Sequence, residues 1–169
     1  MTTATTAAGP YLSFWIGGQP VAVRAAHVKE IVHDRAVTCV PATSRSVRGV
    51  VNLRGMVVPV FDLSPALGLP PIAVSPRRSI VYLELPIDGE QALLGVTAEA
   101  MGRLVELRPE DIEEPPAFGT RIPPGQLLGV TRVEGEFVLL LDIERLLASR
   151  ELMGRPGPAG APDRESRVA

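Results

Sequence analysis

The chain has 169 residues, of which 46% are hydrophobic and 21% are charged, proportions typical of a folded soluble protein. Its 17 Lys and Arg residues are balanced by 19 Asp and Glu residues, and this balance argues against nucleic-acid binding, which usually requires a basic excess. Cys39 is the single cysteine, which excludes an internal disulfide and favours a reducing compartment. The N-terminus lacks the features of a secretory signal, and no apolar stretch approaches the ~18 residues that suggest a membrane span. We therefore expect a cytoplasmic protein without direct membrane insertion.

The two ends of the chain are expected to lie outside the fold. The first residues are mainly Thr, Ala and Gly, and the last contain repeated Pro and Gly with little to bury. We predict a flexible tail at 1–10, a folded domain at 11–152 and a disordered Pro/Gly-rich tail at 153–169.

Strand signals dominate the region between the tails. Apolar segments are separated by four dipeptides that end in glycine, which tolerates the positive φ of two-residue hairpin turns. These dipeptides are Gly17-Gly18, Arg54-Gly55, Asp88-Gly89 and Glu134-Gly135. Many flanking segments are apolar at nearly every position, as in strands covered on both faces. A mainly β protein is predicted.

Helical signals are few. Ser64-Pro65 can begin a single helical turn that reaches Leu67, because Ser caps helices and Pro suits the first helical position. Asp142 can cap a C-terminal helix, IERLLASRELM, with Ile143, Leu146 and Leu147 on one face. The proline-rich segment 70–76 is expected to be irregular.

An internal repeat explains this order of elements. GVVNLRGMVVPVFDL at 49–63 resembles GVTRVEGEFVLLLDI at 129–143, with glycines and an aspartate at equal spacing. A weaker similarity relates IGGQPVAVRAAHVKEIV to IDGEQALLGVTAEAMGRLV. We predict two copies of one β-unit, about 11–69 and 79–149, which bury a face against each other because each is too short for a core of its own.

The segment around the second turn is similar to a known signature. VRGVVNLRGMVVPVFDL resembles the pattern of the bacterial chemotaxis coupling protein family, CheW, and residues 48–63 match it well. VKEI at 28–31, PPAFG at 115–119 and LLDIERLL at 140–147 also resemble that family. The resemblance covers about residues 11–150.

The resemblance implies two packed five-stranded β-barrel subdomains with short helices and a C-terminal helix. It further implies a non-enzymatic scaffold that couples methyl-accepting chemoreceptors to a CheA-type histidine kinase. In such proteins the regulatory domain of the kinase binds a barrel end, and the cytoplasmic tip of the receptor binds the groove between barrels. The chain is then expected to be recruited to membrane-bound chemoreceptor arrays.

Arg54 is the main candidate for a functional residue. At a hairpin tip beside Gly55 its planar guanidinium can reach a carboxylate or backbone carbonyls of a partner. The family resemblance implicates this position in coupling. The alternative is a solvated turn arginine, or one that pairs internally with Asp62 or Glu30. The second repeat has Glu134, followed by Gly135, at the equivalent tip, so the two units are not interchangeable.

Val28, Glu30, Ile31 and Gly49 complete the candidate set. The first three match the receptor-facing segment of the family, and an apolar pair around one carboxylate suits a groove for a helical hairpin. As an alternative, Val28 and Ile31 are ordinary core residues, and the pattern favours this for Ile31. Gly49 permits either close backbone approach or a bulge without a binding role.

No catalytic, metal or cofactor site is predicted. His27 and His33 are six residues apart and have no accompanying His or Cys cluster for a metal. Ser44, Ser46 and Ser64 lie in no nucleophile context, and Cys39 is interpreted as a small buried residue.

Two alternatives to the chemotaxis adaptor remain open at this point. The first is an adaptor of the same fold in a non-flagellar chemosensory pathway, such as pilus motility or gene regulation. The second is an unrelated small β-barrel module that binds a peptide or nucleic acid.

Overall fold

A computed structural model describes residues 7–33, 37–39, 46–115, 122 and 124–148 of the chain. The strands are β1 (Gly9–Ile16), β2 (Gln19–Arg24), β3 (Val28–His33), β4 (Val47–Leu53), β5 (Met56–Phe61), β6 (Ser79–Ile87), β7 (Glu90–Ala98), β8 (Ala100–Leu107), β9 (Leu127–Val133) and β10 (Glu136–Leu141). The helices are three 3-10 segments, Ala25–His27, Pro109–Asp111 and Pro124–Gln126, and α1 (Ile143–Ala148). The mainly β prediction is confirmed.

The limits of the fold differ in part from the expected ones. β1 begins at Gly9 and Ala7 is buried, so the first strand starts inside the expected tail at 1–10. Tyr11 explains this, because its buried hydroxyl donates a hydrogen bond to the carbonyl oxygen of Ala7. Most of the PPAFG segment, the extension of the helix past residue 148 and the C-terminal tail at 153–169 lie outside the described residues.

The hairpin turns form where the glycine dipeptides predict them. Arg54 and Gly55 have φ values of 53° and 85°, and Glu134 and Gly135 have values of 51° and 83°. Positive φ at both central residues is what a type I′ turn requires. At the first tip the side-chain oxygen of Asn52 also accepts a hydrogen bond from the Gly55 amide. Both dipeptides therefore lie at the tips of hairpins.

The two repeats exchange strands. In chain order, β1 to β5 come from the first repeat and β6 to β10 from the second. One sheet has the order β8-β1-β2-β10-β9 and the other β3-β6-β7-β5-β4. Each strand of the first repeat is equivalent to the strand numbered five higher in the second repeat. When every strand is replaced by its equivalent, the strand order of one sheet becomes that of the other. Each repeat therefore gives its first hairpin to the sheet of the other repeat.

Because of this exchange, neither contiguous unit, 11–69 or 79–149, forms a sheet from its own strands alone. Each sheet instead contains two strands of one repeat and three of the other. The joins between repeats include one parallel pair in each sheet, β2 with β10 and β7 with β5. In the described residues no strand pairing joins the two edges of a sheet, so the sheets are five-stranded but not closed barrels.

The apolar runs are explained by burial on both faces of the strands. Along β6, Val81 and Leu83 face the cluster between the sheets, which we call the seam. Ile80 and Tyr82 alternate with them and belong to a separate cluster within the second sheet. β10 alternates in the same way between the seam and a cluster within the first sheet. Three hydrophobic clusters, with the seam as the largest, thus replace a single core.

The predicted helix signals also lie at the seam. Asp142 accepts a hydrogen bond from the Arg145 amide at the start of α1, and Ile143, Leu146 and Leu147 are buried. After β5 the residues from Ser64 form a turn that buries Leu67. Cys39 is exposed, which corrects the expectation of a buried residue.

Gly49 and Gly129 lie at equivalent bulges that require glycine. Their φ values are 154° and 158°, and each strand shifts register beside a short bridge to an earlier segment. A Cβ on Gly49 would lie 2.2 Å from the Thr38 carbonyl oxygen. Close approach of the chain's own backbone therefore accounts for this glycine.

We predict that Gly49→Ala lowers the free energy of unfolding by about 2–4 kcal/mol, because the new methyl group meets backbone at a left-handed φ. Gly125→Ala is the matched control, since its Cβ would meet nothing closer than 3.9 Å. Urea unfolding of both variants measures the difference. Equal midpoints for the two variants would contradict this account.

Candidate functional site

Arg54 forms an ion pair across the second sheet. Its Nη2 atom lies 2.9 Å from Oε2 of Glu30 on β3, while 77% of the arginine side chain remains exposed. Glu30 is thus the internal partner. Asp62, the other expected candidate, instead accepts hydrogen bonds from the amide and hydroxyl of Ser64. β3 and β4 are the opposite edges of the sheet. The sheet must therefore be curved enough for the Arg54 side chain, at the β4–β5 tip, to reach Glu30 on β3.

An equivalent ion pair with reversed charges lies in the first sheet. Glu134 at the β9–β10 tip lies 2.9 Å from Nη1 of Arg103 on β8. β8 and β3 are equivalent edge strands, so the two pairs occupy corresponding positions. The tip is basic in one sheet and acidic in the other. The two tip residues therefore carry opposite charges, and each is paired with a residue on an edge strand of its sheet.

The position of Arg103 is fixed by a bulge in β8, where Gly102 and Arg103 lie opposite Ser13 of β1. The hydroxyl oxygen of Ser13 accepts a hydrogen bond from the Arg103 amide at 2.9 Å, and the hydroxyl donates to its carbonyl at 3.1 Å. This side chain replaces the strand pairing that is interrupted between Leu12 and Phe14. A Cβ on the adjacent Gly102 would lie 2.2 Å from the Ser13 hydroxyl, so this approach needs glycine.

Ile31 and Leu104 are exposed apolar residues on the edge strands β3 and β8. Their side chains are 42% and 66% exposed. Ile31 is paired with Val81 and Leu104 with Leu12, and cross-strand partners share a face. Val81 belongs to the seam cluster and Leu12 packs against it, so both exposed residues lie on the seam-facing sides of their strands.

Each edge strand follows a crossover from the other sheet. The 3-10 helix Ala25–His27 leads from β2 to β3 and contacts both β1 and β6. β7 leads to β8 through Glu99, whose amide donates to the Trp15 carbonyl of β1. Across the seam, β1 also contacts β7.

We call the seam-facing residues of the two edge strands, Val28 and Ile31 on β3 with Met101 and Leu104 on β8, the β3–β8 margin. Val28 and Met101 are partly buried against the seam cluster, and Ile31 and Leu104 project further out. The expectation that Ile31 is a core residue is wrong, because an edge strand has no neighbour to cover its outer residue. Val28, and not Ile31, contacts the core.

The sequence analysis missed Arg103 and Leu104. Their signal was the weaker repeat, in which HVKEIV at 27–32 corresponds to AMGRLV at 100–105. Val28, Glu30 and Ile31 then correspond to Met101, Arg103 and Leu104. In the structure, Val28 and Met101 both pack on the seam. Glu30 and Arg103 each form an ion pair with a tip residue, and Ile31 and Leu104 are both exposed.

A groove lies beside each tip. The one next to Arg54 has a volume of about 530 Å³ and is lined partly by Glu30, Thr38 and Tyr82. The other, next to Glu134, has about 340 Å³ and contains Trp15, the only tryptophan of the chain. Both are open surface features of mixed polarity. Such grooves suit contact with a protein surface better than enclosure of a small molecule.

The described part of the chain contains neither a cluster of metal ligands nor a membrane-spanning helix. There, no group of three or more His, Cys, Asp or Glu side chains is arranged to hold a metal ion. The helices between residues 7 and 148, where described, are all too short to cross a bilayer.

Comparison with known proteins identifies the family. A family model described as CheW-like domain matches residues 10–151. The chain is 26% identical over 141 residues to the chemotaxis protein CheW of Treponema pallidum, covering 83% of each protein. It is 29% identical over 139 residues to the protein FrzA of Myxococcus xanthus, covering 81% of this chain and 84% of the relative.

A solved structure has the same fold. The scaffolding protein TtCheW from Thermoanaerobacter tengcongensis superposes with a TM-score of 0.74 at 22% sequence identity, covering 85% of this chain and 90% of that one. The alternative of an unrelated β-barrel module is therefore wrong.

We predict that a double-mutant cycle of Arg54→Ala and Glu30→Ala gives a coupling energy of about 0.5–1 kcal/mol, as for a partly exposed ion pair. Arg103→Ala with Glu134→Ala is the matched cycle and should couple more weakly, because its side chains are 61% and 68% exposed whereas Glu30 is 21% exposed. Urea unfolding at low and high salt measures both cycles. A larger coupling in the second cycle, or one that does not decrease in high salt, would contradict this ranking.

Proposed function

Since this chain belongs to the CheW-like family, we propose that it acts as a scaffold in chemotaxis signal transduction, without catalytic activity of its own. Its partners are methyl-accepting chemoreceptors and the regulatory domain of a CheA-type histidine kinase. It is recruited from the cytoplasm to membrane-bound receptor arrays through these contacts.

The β3–β8 margin is the proposed docking surface for the receptor tip. The observation that carries this assignment is the exposure of Ile31 beside the Arg54–Glu30 pair on an edge strand. A helical hairpin binds through apolar anchors surrounded by polar residues. Ile31 and Leu104 supply apolar contacts, while Glu30, on the other face of β3, and its partner Arg54 supply charge across the edge of the strand.

The open tips are the proposed contacts for the kinase regulatory domain. The Arg54 tip is basic and the Glu134 tip acidic, and each has a groove next to it. Exposed apolar residues flank the tips, with Val57 71% exposed and Phe137 51% exposed. Differently charged ends allow one scaffold to distinguish two binding surfaces.

A second candidate keeps the scaffold role but changes the pathway. The similarity to the protein FrzA, which is not named for chemotaxis, supports an adaptor in a non-flagellar chemosensory system. Neighbouring genes separate the two candidates. A kinase, a receptor and a methyltransferase gene favour chemotaxis, whereas pilus or regulator genes favour the second candidate.

We predict that Ile31→Asp weakens binding to a receptor cytoplasmic fragment about tenfold or more, because a charge replaces an apolar anchor. Leu104→Asp should do the same from the other edge strand. Val74→Asp is the control, since Val74 is 83% exposed in the segment between β5 and β6. Titration calorimetry measures the affinities, and equal losses for all three variants would refute the assignment to the β3–β8 margin.

We predict that Arg54→Glu leaves the fold intact but weakens receptor-linked control of the kinase. The substitution places a carboxylate opposite Glu30, so the tip loses its ion pair and reverses its charge. Kinase activity in reconstituted receptor complexes measures the effect, and circular dichroism checks folding. An unfolded variant would instead make Arg54 a structural residue.

A further inference from the structure

His27 lies where the chain passes from one sheet to the other. It is the last residue of the 3-10 helix between β2 of the first sheet and β3 of the second. Its Nε2 atom lies 3.4 Å from Oε1 of Glu144 on α1, and its side chain is 19% exposed. One imidazole thus connects the crossover segment to the helix that packs into the seam.

The two ring nitrogens of His27 have different surroundings. Nε2 faces a carboxylate, whereas Nδ1 is buried and has no hydrogen-bond partner in the described part of the chain. The neutral ring with its proton on Nε2 fits this site, because it donates toward Glu144 and leaves only a lone pair at Nδ1. Protonation would add a donor at Nδ1, where no acceptor is present among the described residues. A buried donor without an acceptor is costly.

The charged groups around His27 do not remove this cost. Glu144 and Asp142 favour the imidazolium form, and Arg24 at the end of β2 disfavours it. Asp142 is also 3.6 Å from Arg145, which weakens its attraction for a second cation. Burial is the largest influence and lowers the pKa of His27 below the ordinary value, although the carboxylate of Glu144 raises it.

The other elements packed against the crossover add little charge. β1 contributes Tyr11, whose hydroxyl donates to a backbone carbonyl. β6 contributes Glu84, which lies 3.8 Å from Lys29. Neither supplies an acceptor for Nδ1.

We propose that the His27–Glu144 contact is a proton-released clasp, in which protonation of His27 frees the crossover segment from α1. The imidazolium ring turns toward water to hydrate its second N–H, and its contact with α1 is lost. The crossover then moves with respect to the seam, because Ile143, Leu146 and Leu147 hold α1 in place.

The consequence for docking rests on the proposed function. His27 immediately precedes Val28, and Glu30 and Ile31 follow on the same strand. Release of the clasp therefore loosens the start of β3 and one side of the β3–β8 margin. Acidification should weaken receptor binding, and recovery of neutral pH should restore it.

The sign of the pH dependence follows from the neutral ring in the folded state. The clasp contributes its full stability above the ordinary histidine pKa of about 6.5, where folded and unfolded chains are both neutral. As the pH decreases, the unfolded chain binds a proton first, and the contribution is lost through the lower pKa of the folded state.

Wild type, His27→Gln and His33→Gln test the clasp in the full chain. Gln can still donate an N–H toward Glu144 but does not titrate, and His33 is an exposed residue of β3 that serves as the matched control. Between pH 7.5 and 5.5, the urea midpoint should decrease more in wild type and His33→Gln than in His27→Gln. Equal decreases in all three proteins would overturn the clasp.

Two measurements keep the test decisive if His27→Gln folds poorly. Histidine NMR of the wild-type chain should show His27 titrating below about 6.5. Amide exchange in the crossover and in α1 should become faster over the same pH range. A titration at or above 6.5, or exchange that does not change with His27, would overturn the proposal.

A binding measurement tests the clasp separately from the proposed function. Affinity for a receptor cytoplasmic fragment should decrease several-fold between pH 7.5 and 5.5 in wild type and less in His27→Gln. The same decrease in both would overturn the link from the clasp to β3. Absence of binding at every pH would contradict the receptor assignment, while unfolding and NMR would still decide the clasp.

Discussion

The seam between the two sheets depends on the exchange of hairpins between repeats. Each repeat places its β-hairpin β1–β2 or β6–β7 in the sheet of the other, so neither sheet can form from one half of the chain. The seam cluster combines residues of both sheets with the buried face of α1. Apolar burial of this kind is the main favourable term in folding, and here it is shared by two interleaved units. The two repeats consequently form one cooperative folding unit.

The same exchange produces the β3–β8 margin. β3 and β8 become edge strands because each leaves its own hairpin and joins the hairpin of the other repeat. An edge strand leaves its outer side chains uncovered, and Ile31 and Leu104 are exposed beside the seam for this reason. The ion pairs Arg54–Glu30 and Arg103–Glu134 then hold the tips against these strands. A duplicated fold thus acquires two related edges with opposite charges, which a symmetric assembly could not provide.

Because the repeats exchange hairpins, the crossover segments must pass between the sheets without strand pairing. One of them, Ala25–His27, is held by a side-chain contact to α1. Its histidine lies next to the strand that bears Glu30 and Ile31. The residues of the β3–β8 margin on β3 are therefore adjacent in the chain to this crossover, whereas the tips at Arg54 and Glu134 are remote from it along the chain.

The sequence by itself determined the local structure and the family. Positive φ at Arg54-Gly55 and Glu134-Gly135 was predictable because turn geometry depends on neighbouring residues only, and the burial of Ile143, Leu146 and Leu147 followed from helical spacing. The repeat predicted two β-units with a shared face, and the family resemblance implied five strands in each. The CheW-like signature at 48–63 gave the scaffold role.

Only the tertiary structure decided which strands pair and which apolar residues stay exposed. Ile31 and Val28 have similar side chains on the same side of one strand, and their different burial depends on where each lies along the edge strand β3. The pairing of Arg54 with Glu30 and not with Asp62 depends on how far the sheet bends. Strand exchange itself leaves no mark in local sequence, because each hairpin has the same internal contacts whichever sheet it joins. Long-range pairing depends on contacts between residues far apart in the chain, and pattern alone does not specify them.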